Sequence, residues 1–126
     1  MSIVGHGIDI VKVSRIARML AEHGERFLER CFTPDERAYA LRGPRAAEHL
    51  AARFAAKEAV LKALGTGWRN GIGWTDVEVV LEPSGRPTVR LWNVALETAQ
   101  RLGIVRWSLS LSHTDELAAA SAVGSS

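Results

Sequence analysis

The arrangement of apolar and polar positions changes its period near the middle of the chain. From Ile3 to Val11 apolar residues run almost continuously around Gly5 and Gly7, which predicts a first strand. A helical period follows: Ile16, Met19, Leu20 and Phe27 form one stripe, so a helix is expected from a Ser14 cap to about Arg30. Thr33-Pro34-Asp35-Glu36 is a capping box with proline at the first helical position, and the short helix it starts is broken at Gly43-Pro44. A long helix then runs from about Arg45 to Leu64, with Gly65 placed to end it. Beyond the glycine-rich loop Gly65 to Gly73 the period becomes two. Val77, Val79 and Leu81 alternate with Asp76 and Glu78 as a half-buried strand. Pro83 to Pro87 is turn chemistry, and Val89 with Leu91 continue on a return strand. Asn93 is expected to cap a helix ending near Gly103. Val105, Trp107, Leu109 and Leu111 form another alternating strand with Ser108, Ser110 and Ser112 on its other face. His113 to Glu116 turn the chain into a last strand, Leu117 to Val123, followed by a small-residue tail expected to fray. These elements predict an α+β fold with a mainly antiparallel sheet around a long central helix.

That helix poses a problem. Leu50, Phe54 and Leu61 mark one face, while Ala52, Ala55, Ala56, Ala59 and Ala63 fill the other. A helix that is apolar or small all round is a buried one, yet this helix carries Arg53, Lys57, Glu58 and Lys62.

Composition narrows the class. The chain has 126 residues, 47% of them hydrophobic and 24% charged, which fits one globular domain spanning 1–126 and excludes a disordered chain. A net charge of +2 is too small to predict nucleic-acid binding. The single cysteine, Cys31, cannot form an internal disulfide and reads as a small buried hydrophobe in a reducing compartment. With neither a basic-then-apolar leader nor an apolar run of membrane-spanning length, a cytoplasmic protein without a membrane partner is expected.

Asp9 lies within an apolar strand, Gly7-Ile8-Asp9-Ile10-Val11, where an ionised carboxylate is costly unless it is paired, hydrogen-bonded or bound to a metal. A helix cap or a lysine partner would satisfy it equally well. Glu58 has a similarly plain explanation in Lys62, since glutamate then lysine four residues on is the favourable helical order. If the two carboxylates converge, they suffice for Mg²⁺, which takes one or two carboxylates and fills its octahedron with water and phosphate oxygens. Lys62, one turn beyond Glu58, would then neutralise a phosphate on the same ion. The glycines of Gly65-Thr66-Gly67 allow a ligand close to the backbone, but this stretch follows a helix and lacks a P-loop ending. His113 closes a strand, a position open to a structural, an exposed or a binding role.

Several blocks together resemble one family. Gly7 to Val11, Phe32 to Glu36, Arg53-Phe54-Ala55-Ala56-Lys57-Glu58-Ala59, Gly65 to Gly67, Gly85-Arg86-Pro87 and Ser110 to Thr114 are similar, in order and over nearly the whole chain, to the short bacterial holo-[acyl-carrier-protein] synthases of the 4'-phosphopantetheinyl transferase superfamily. The resemblance implies transfer of the 4'-phosphopantetheine arm of coenzyme A to a serine of apo acyl carrier protein, releasing adenosine 3',5'-bisphosphate and serving fatty acid biosynthesis. It implies magnesium on Asp9 and Glu58, and Lys62 on phosphate. It also places His113 and Thr114 near the adenosine and its 3'-phosphate, with Arg45 and Arg53 supplementing them and Gly65 and Thr66 beside the coenzyme. Where the family often has a basic residue before Arg45, this chain has Pro44. Arg15 and Arg18, on the first helix, fall where the family receives the acidic helix of the carrier protein. The resemblance also implies a homotrimer with each coenzyme A site at a subunit boundary. On this reading the long helix is a scaffold whose charges face a metal and several phosphates. Glu58 takes the serine proton directly or through water, since a carboxylate holding a cation is a poor base.

Three other functions fit parts of the pattern. A magnesium-dependent phosphodiesterase or nuclease also uses two carboxylates and a lysine. A non-catalytic coenzyme A or nucleotide module would bind without turnover. A nucleic-acid binder would need a motif or aromatic platform that the chain lacks.

Overall fold

A computed structural model describes residues 1–67 and 71–126; of the glycine-rich loop, Trp68, Arg69 and Asn70 lie outside the described residues. The elements run β1 (Ile3–Lys12), α1 (Val13–His23), α2 (Glu25–Cys31), α3 (Pro34–Ala40), α4 (Ala46–Leu64), a single 3₁₀ turn (Trp74–Asp76), β2 (Val77–Leu81), β3 (Pro87–Leu91), α5 (Asn93–Leu102), β4 (Arg106–His113) and β5 (Leu117–Ser125). Both sheets are antiparallel: three strands ordered β1-β5-β4, and a β2-β3 hairpin.

Helix α4 lies across the inner face of the larger sheet, and most of it is buried. Small residues make this possible. Ala118, Ala120 and Ala122 of β5 are buried beneath it, and the β1 glycines bring strand and helix backbones together. A Cβ on Gly7 would stand 1.9 Å from the Ala59 carbonyl oxygen, and one on Gly5 2.1 Å from that of Ala63. No side chain fits there, so the glycines interrupting the strand set its contact with the helix. Asp9 shares their face of β1. The alternate residues Ile8 and Ile10 point outward and remain 57% and 64% exposed.

Lys57 turns the other way. Its side chain is fully buried, and Nζ donates to Glu36 Oε1 at 2.8 Å, to the Trp74 carbonyl at 3.0 Å and to the Val77 carbonyl. Glu36 also accepts from the Thr33 and Val79 backbone N–H groups, so one ion pair ties α3, α4 and β2 together. Burial pushes the Lys57 ammonium pKa down, and the Glu36 carboxylate opposes the shift.

The capping box forms as expected: Thr33 Oγ1 accepts from the Glu36 N–H, and Gly65 ends α4 in the left-handed region at φ 77°. Other local expectations are corrected. The first helix is two helices, because Gly24 at φ 49° breaks it; Ser14 caps neither, since α1 starts directly from the strand. Trp92, not Asn93, precedes α5, and the Asn93 amide donates instead to Asp76 Oδ1. Glu78 is buried rather than outward, accepting from Thr33 Oγ1 and Trp92 Nε1. Val105 lies outside β4 and is exposed. The C-terminal tail is held, with Ser125 in β5 and the Ser126 N–H donating to the Ser2 carbonyl. Cys31 is buried as expected, and burial pushes its thiol pKa up.

Candidate active site

Two groups of candidate side chains flank opposite ends of α4. Near its C-terminus, Lys62 Nζ lies 3.2 Å from Asp9 Oδ1 and donates to the Ile8 carbonyl at 2.9 Å. The pair is open to solvent, with the lysine side chain 54% and the aspartate 18% exposed. Asp9 is therefore half-enclosed, not sealed among the apolar residues of its strand. Glu58, partly buried, lies one turn before Lys62, so Asp9 reaches the flank of α4 that carries both. Lys62 takes Asp9 as its partner here, across 53 residues of chain. Gly65 and Thr66 follow directly, and the Thr66 hydroxyl donates to the Gly67 carbonyl.

The second group surrounds the first turn of α4. His113 ends β4, and its Nδ1 lies 3.3 Å from Glu48 Oε1. The His113 ring packs edge-on against His49 at 5.7 Å between centroids, and His49 packs the same way against Tyr39 at 5.6 Å. Arg53 is buried with its guanidinium 4.2 Å over the Tyr39 ring, and its Nε finds no hydrogen-bond partner among the described residues. Burial pushes the Arg53 pKa down, opposed by Tyr39. Burial also pushes His49 below the ordinary histidine value, reinforced by Arg53 and His113 and opposed by Glu48. Arg45 precedes α4 and is exposed. Thr114 serves the turn: its hydroxyl accepts from the N–H groups of Glu116 and Leu117.

A third feature lies beside α1. An open cleft of about 480 Å³ has Phe54 and Trp74, stacked at 4.5 Å, among its apolar lining, and Arg15, Arg26 and Arg30 among its basic lining. The Arg15 guanidinium sits 5.4 Å over the Phe54 ring. Arg18, exposed on α1, does not line the cleft.

Residues 5–121 match the family model of the 4'-phosphopantetheinyl transferase superfamily. The chain belongs to that superfamily. Among curated relatives, it is 51% identical to the holo-[acyl-carrier-protein] synthase of Koribacter versatilis, covering 96% of this chain and 97% of the relative. Among solved structures, the holo-[acyl-carrier-protein] synthase of Neisseria meningitidis superposes with a TM-score of 0.88 at 34% identity, covering 99% of this chain and all of that one. The Bacillus anthracis synthase, in complex with CoA (3',5'-ADP), matches with a TM-score of 0.78 at 39% identity, covering 97% and 96%.

Within this phosphopantetheinyl transferase chain, no group of three or more histidine, cysteine, aspartate or glutamate residues suited to a metal occurs among the described residues. A site built on Asp9 and Glu58 is therefore of the sparse kind. Two hard oxygen donors beside an exposed lysine fit Mg²⁺, which keeps waters and takes phosphate oxygens. The expectation that every charge on the long helix faces the site is corrected at Lys57, which is spent on Glu36. Glu48, His49 and Tyr39 carry no motif that singles them out; packing of β4 against the start of α4 brings Glu48 and His49 to His113, and α3 adds Tyr39 against His49. Arg26 and Arg30 join Arg15 only through the bend at Gly24.

Proposed function

We propose that this chain moves the 4'-phosphopantetheine arm of coenzyme A onto a serine of apo acyl carrier protein, giving holo carrier protein and adenosine 3',5'-bisphosphate. The observation that carries the reading is the Asp9–Lys62 pair beside Glu58, on a chain belonging to this superfamily. Asp9 and Glu58 would hold magnesium, which when bound polarises the phosphate and stabilises the departing phosphate group. Lys62 needs only to swing from Asp9 to neutralise charge on the coenzyme phosphates. The carrier serine attacks the β-phosphorus of coenzyme A, and Glu58 accepts its proton directly or through water.

The adenosine end belongs with the second group. His113 and Thr114 contact the adenosine 3'-phosphate, with Arg45 supplementing them, and the Nε of Arg53, without a partner among the described residues, is a buried donor that a nearby anion would satisfy. Residues His49 and Lys62 are separated by about 20 Å of helix, at 1.5 Å per residue. That distance favours a site shared across a subunit boundary, one protomer gripping the adenosine end and its neighbour the pyrophosphate. Ile8 and Ile10 on the outer face of the sheet supply apolar area for such a homotrimer.

Arg15, which lines the cleft, meets the acidic helix of the carrier protein, and Arg18 adds a weaker contribution. The protein works in the cytoplasm in fatty acid biosynthesis, with no nucleic acid and no membrane as partner. No helix among the described residues is long and apolar enough to cross a membrane.

Mass spectrometry of apo carrier protein incubated with the chain, coenzyme A and magnesium tests the reading. Addition of the phosphopantetheine mass with release of adenosine 3',5'-bisphosphate is expected. Free phosphopantetheine with unmodified carrier would instead make the chain a hydrolase, and bound coenzyme A without turnover a binding module.

A further inference from the structure

His113 stands where β4 ends: its cross-strand partner Ala118 is the last in the β4–β5 ladder. A side chain at such a terminus has few strand neighbours to fix its rotamer, so its orientation must come from elsewhere. Two residues of one turn of α4 supply it. Glu48 Oε1 stands 3.3 Å from Nδ1, and the His49 ring closes against the imidazole at 5.7 Å. His49 is itself backed by Tyr39 and, behind it, the buried Arg53 guanidinium, so the row of rings is anchored in the protein rather than in solvent.

We propose that Glu48 is a positioning residue for coenzyme A, acting through His113, with His49 as the wall that holds the imidazole in place. The inference rests on the preceding assignment of His113 to the adenosine 3'-phosphate. A carboxylate facing Nδ1 accepts the N–H of that nitrogen, and in the doubly protonated ring it leaves Nε2–H to donate to the phosphate. Burial and the neighbouring Arg53 and His113 charges disfavour a proton on His49, so it packs beside His113 as an aromatic ring. The arrangement parallels the way a carboxylate behind a histidine fixes ring orientation at metal sites.

Glu48 also lies in the first turn of α4, where a negative charge favours the helix whatever His113 does. A thermodynamic cycle separates the two roles. Dissociation constants for coenzyme A and its 3'-dephospho analogue are measured for the wild type, Glu48→Ala, His113→Ala and the double variant. Glu48→Ala is expected to weaken coenzyme A binding about tenfold with His113 present and less than about twofold without it. Binding of the 3'-dephospho analogue should change little in either background. Nitrogen-15 shifts of the imidazole in the coenzyme A complex should show both nitrogens protonated in the wild type and a changed Nδ1 signal in Glu48→Ala. If Glu48→Ala does not fold, the isosteric Glu48→Gln takes its place in the cycle, with a loss of about threefold that again disappears in the His113→Ala background. A loss in His113→Ala, with Glu48 costing the same whether or not the imidazole is present, overturns the positioning role alone. No loss in His113→Ala overturns the assignment of His113 itself.

Discussion

Lys57 and Lys62 sit little more than one turn apart on α4, and each reaches a carboxylate on another element. The two pairs are built to opposite ends. The Lys57–Glu36 pair is fully buried, and all three ammonium hydrogens and both glutamate oxygens have protein partners. The Lys62–Asp9 pair is open to solvent, and it engages only one Asp9 oxygen, Oδ1. A charge whose valences are all filled holds secondary structure together and has nothing left for a substrate. A charge with valences to spare contributes little to the fold and is available for chemistry.

The largest expected effect of the comparison is on stability. Lys57→Met strands the Glu36 carboxylate in the core and should lower unfolding free energy by about 3–5 kcal/mol. Lys62→Met should lower it by well under about 1 kcal/mol, because a solvated pair contributes little. Urea unfolding of the two variants side by side checks this, and equal losses would erase the distinction.

Arg15 extends the comparison to a protein partner. Exposed, and resting only on the Phe54 ring among the contacts described, it belongs with the charges that have valence to spare. Arg15→Glu should raise the Michaelis constant for apo carrier protein by about tenfold, with a steep salt dependence, and leave that for coenzyme A unchanged. Arg18→Glu should do less, since Arg18 does not line the cleft. Steady-state kinetics with each substrate varied separately, at low and moderate salt, read both effects.

How much of this was legible in the sequence depended on how far apart the partners lie. The Thr33–Glu36 box is readable because both hydrogen bonds close within four residues. The second task of Glu36 is not, because Lys57, Val77 and Val79 meet only after α3, α4 and β2 have packed. Asn93 has the right residue type for a cap, but Asp76 takes its amide and Trp92 occupies the position before α5. Asp9 stands out as a carboxylate between isoleucines, yet the alternation that turns Ile8 and Ile10 outward is what lets it face α4. The long helix was expected to be buried from its alanines, and it is. Which of its charges point at the site could not be read, since that depends on the elements packed around it.

His49 gives the smallest effect. Its folded pKa is lowered, so the unfolded chain binds the proton more tightly, and stability must rise with pH through the histidine range. The contribution is present above about 6.5 and is lost as pH falls below it. His49→Phe removes the titrating group but keeps a ring against His113. The drop in melting temperature from about pH 7.5 to about pH 5.5 should therefore be larger in the wild type than in the variant. The same drop in both would remove His49 from the acid response.

The central claim is that the open pair, together with Glu58, is the metal and phosphate site, while the closed pair only holds the fold. A magnesium titration of carrier-protein modification by Asp9→Asn and Glu58→Gln, with melting temperatures taken on the same samples, tests it most directly. At limiting magnesium both variants should lose transfer by about 100-fold or more, with melting temperatures close to wild type and partial recovery as magnesium rises. Near-normal transfer at limiting magnesium in either variant would contradict the account.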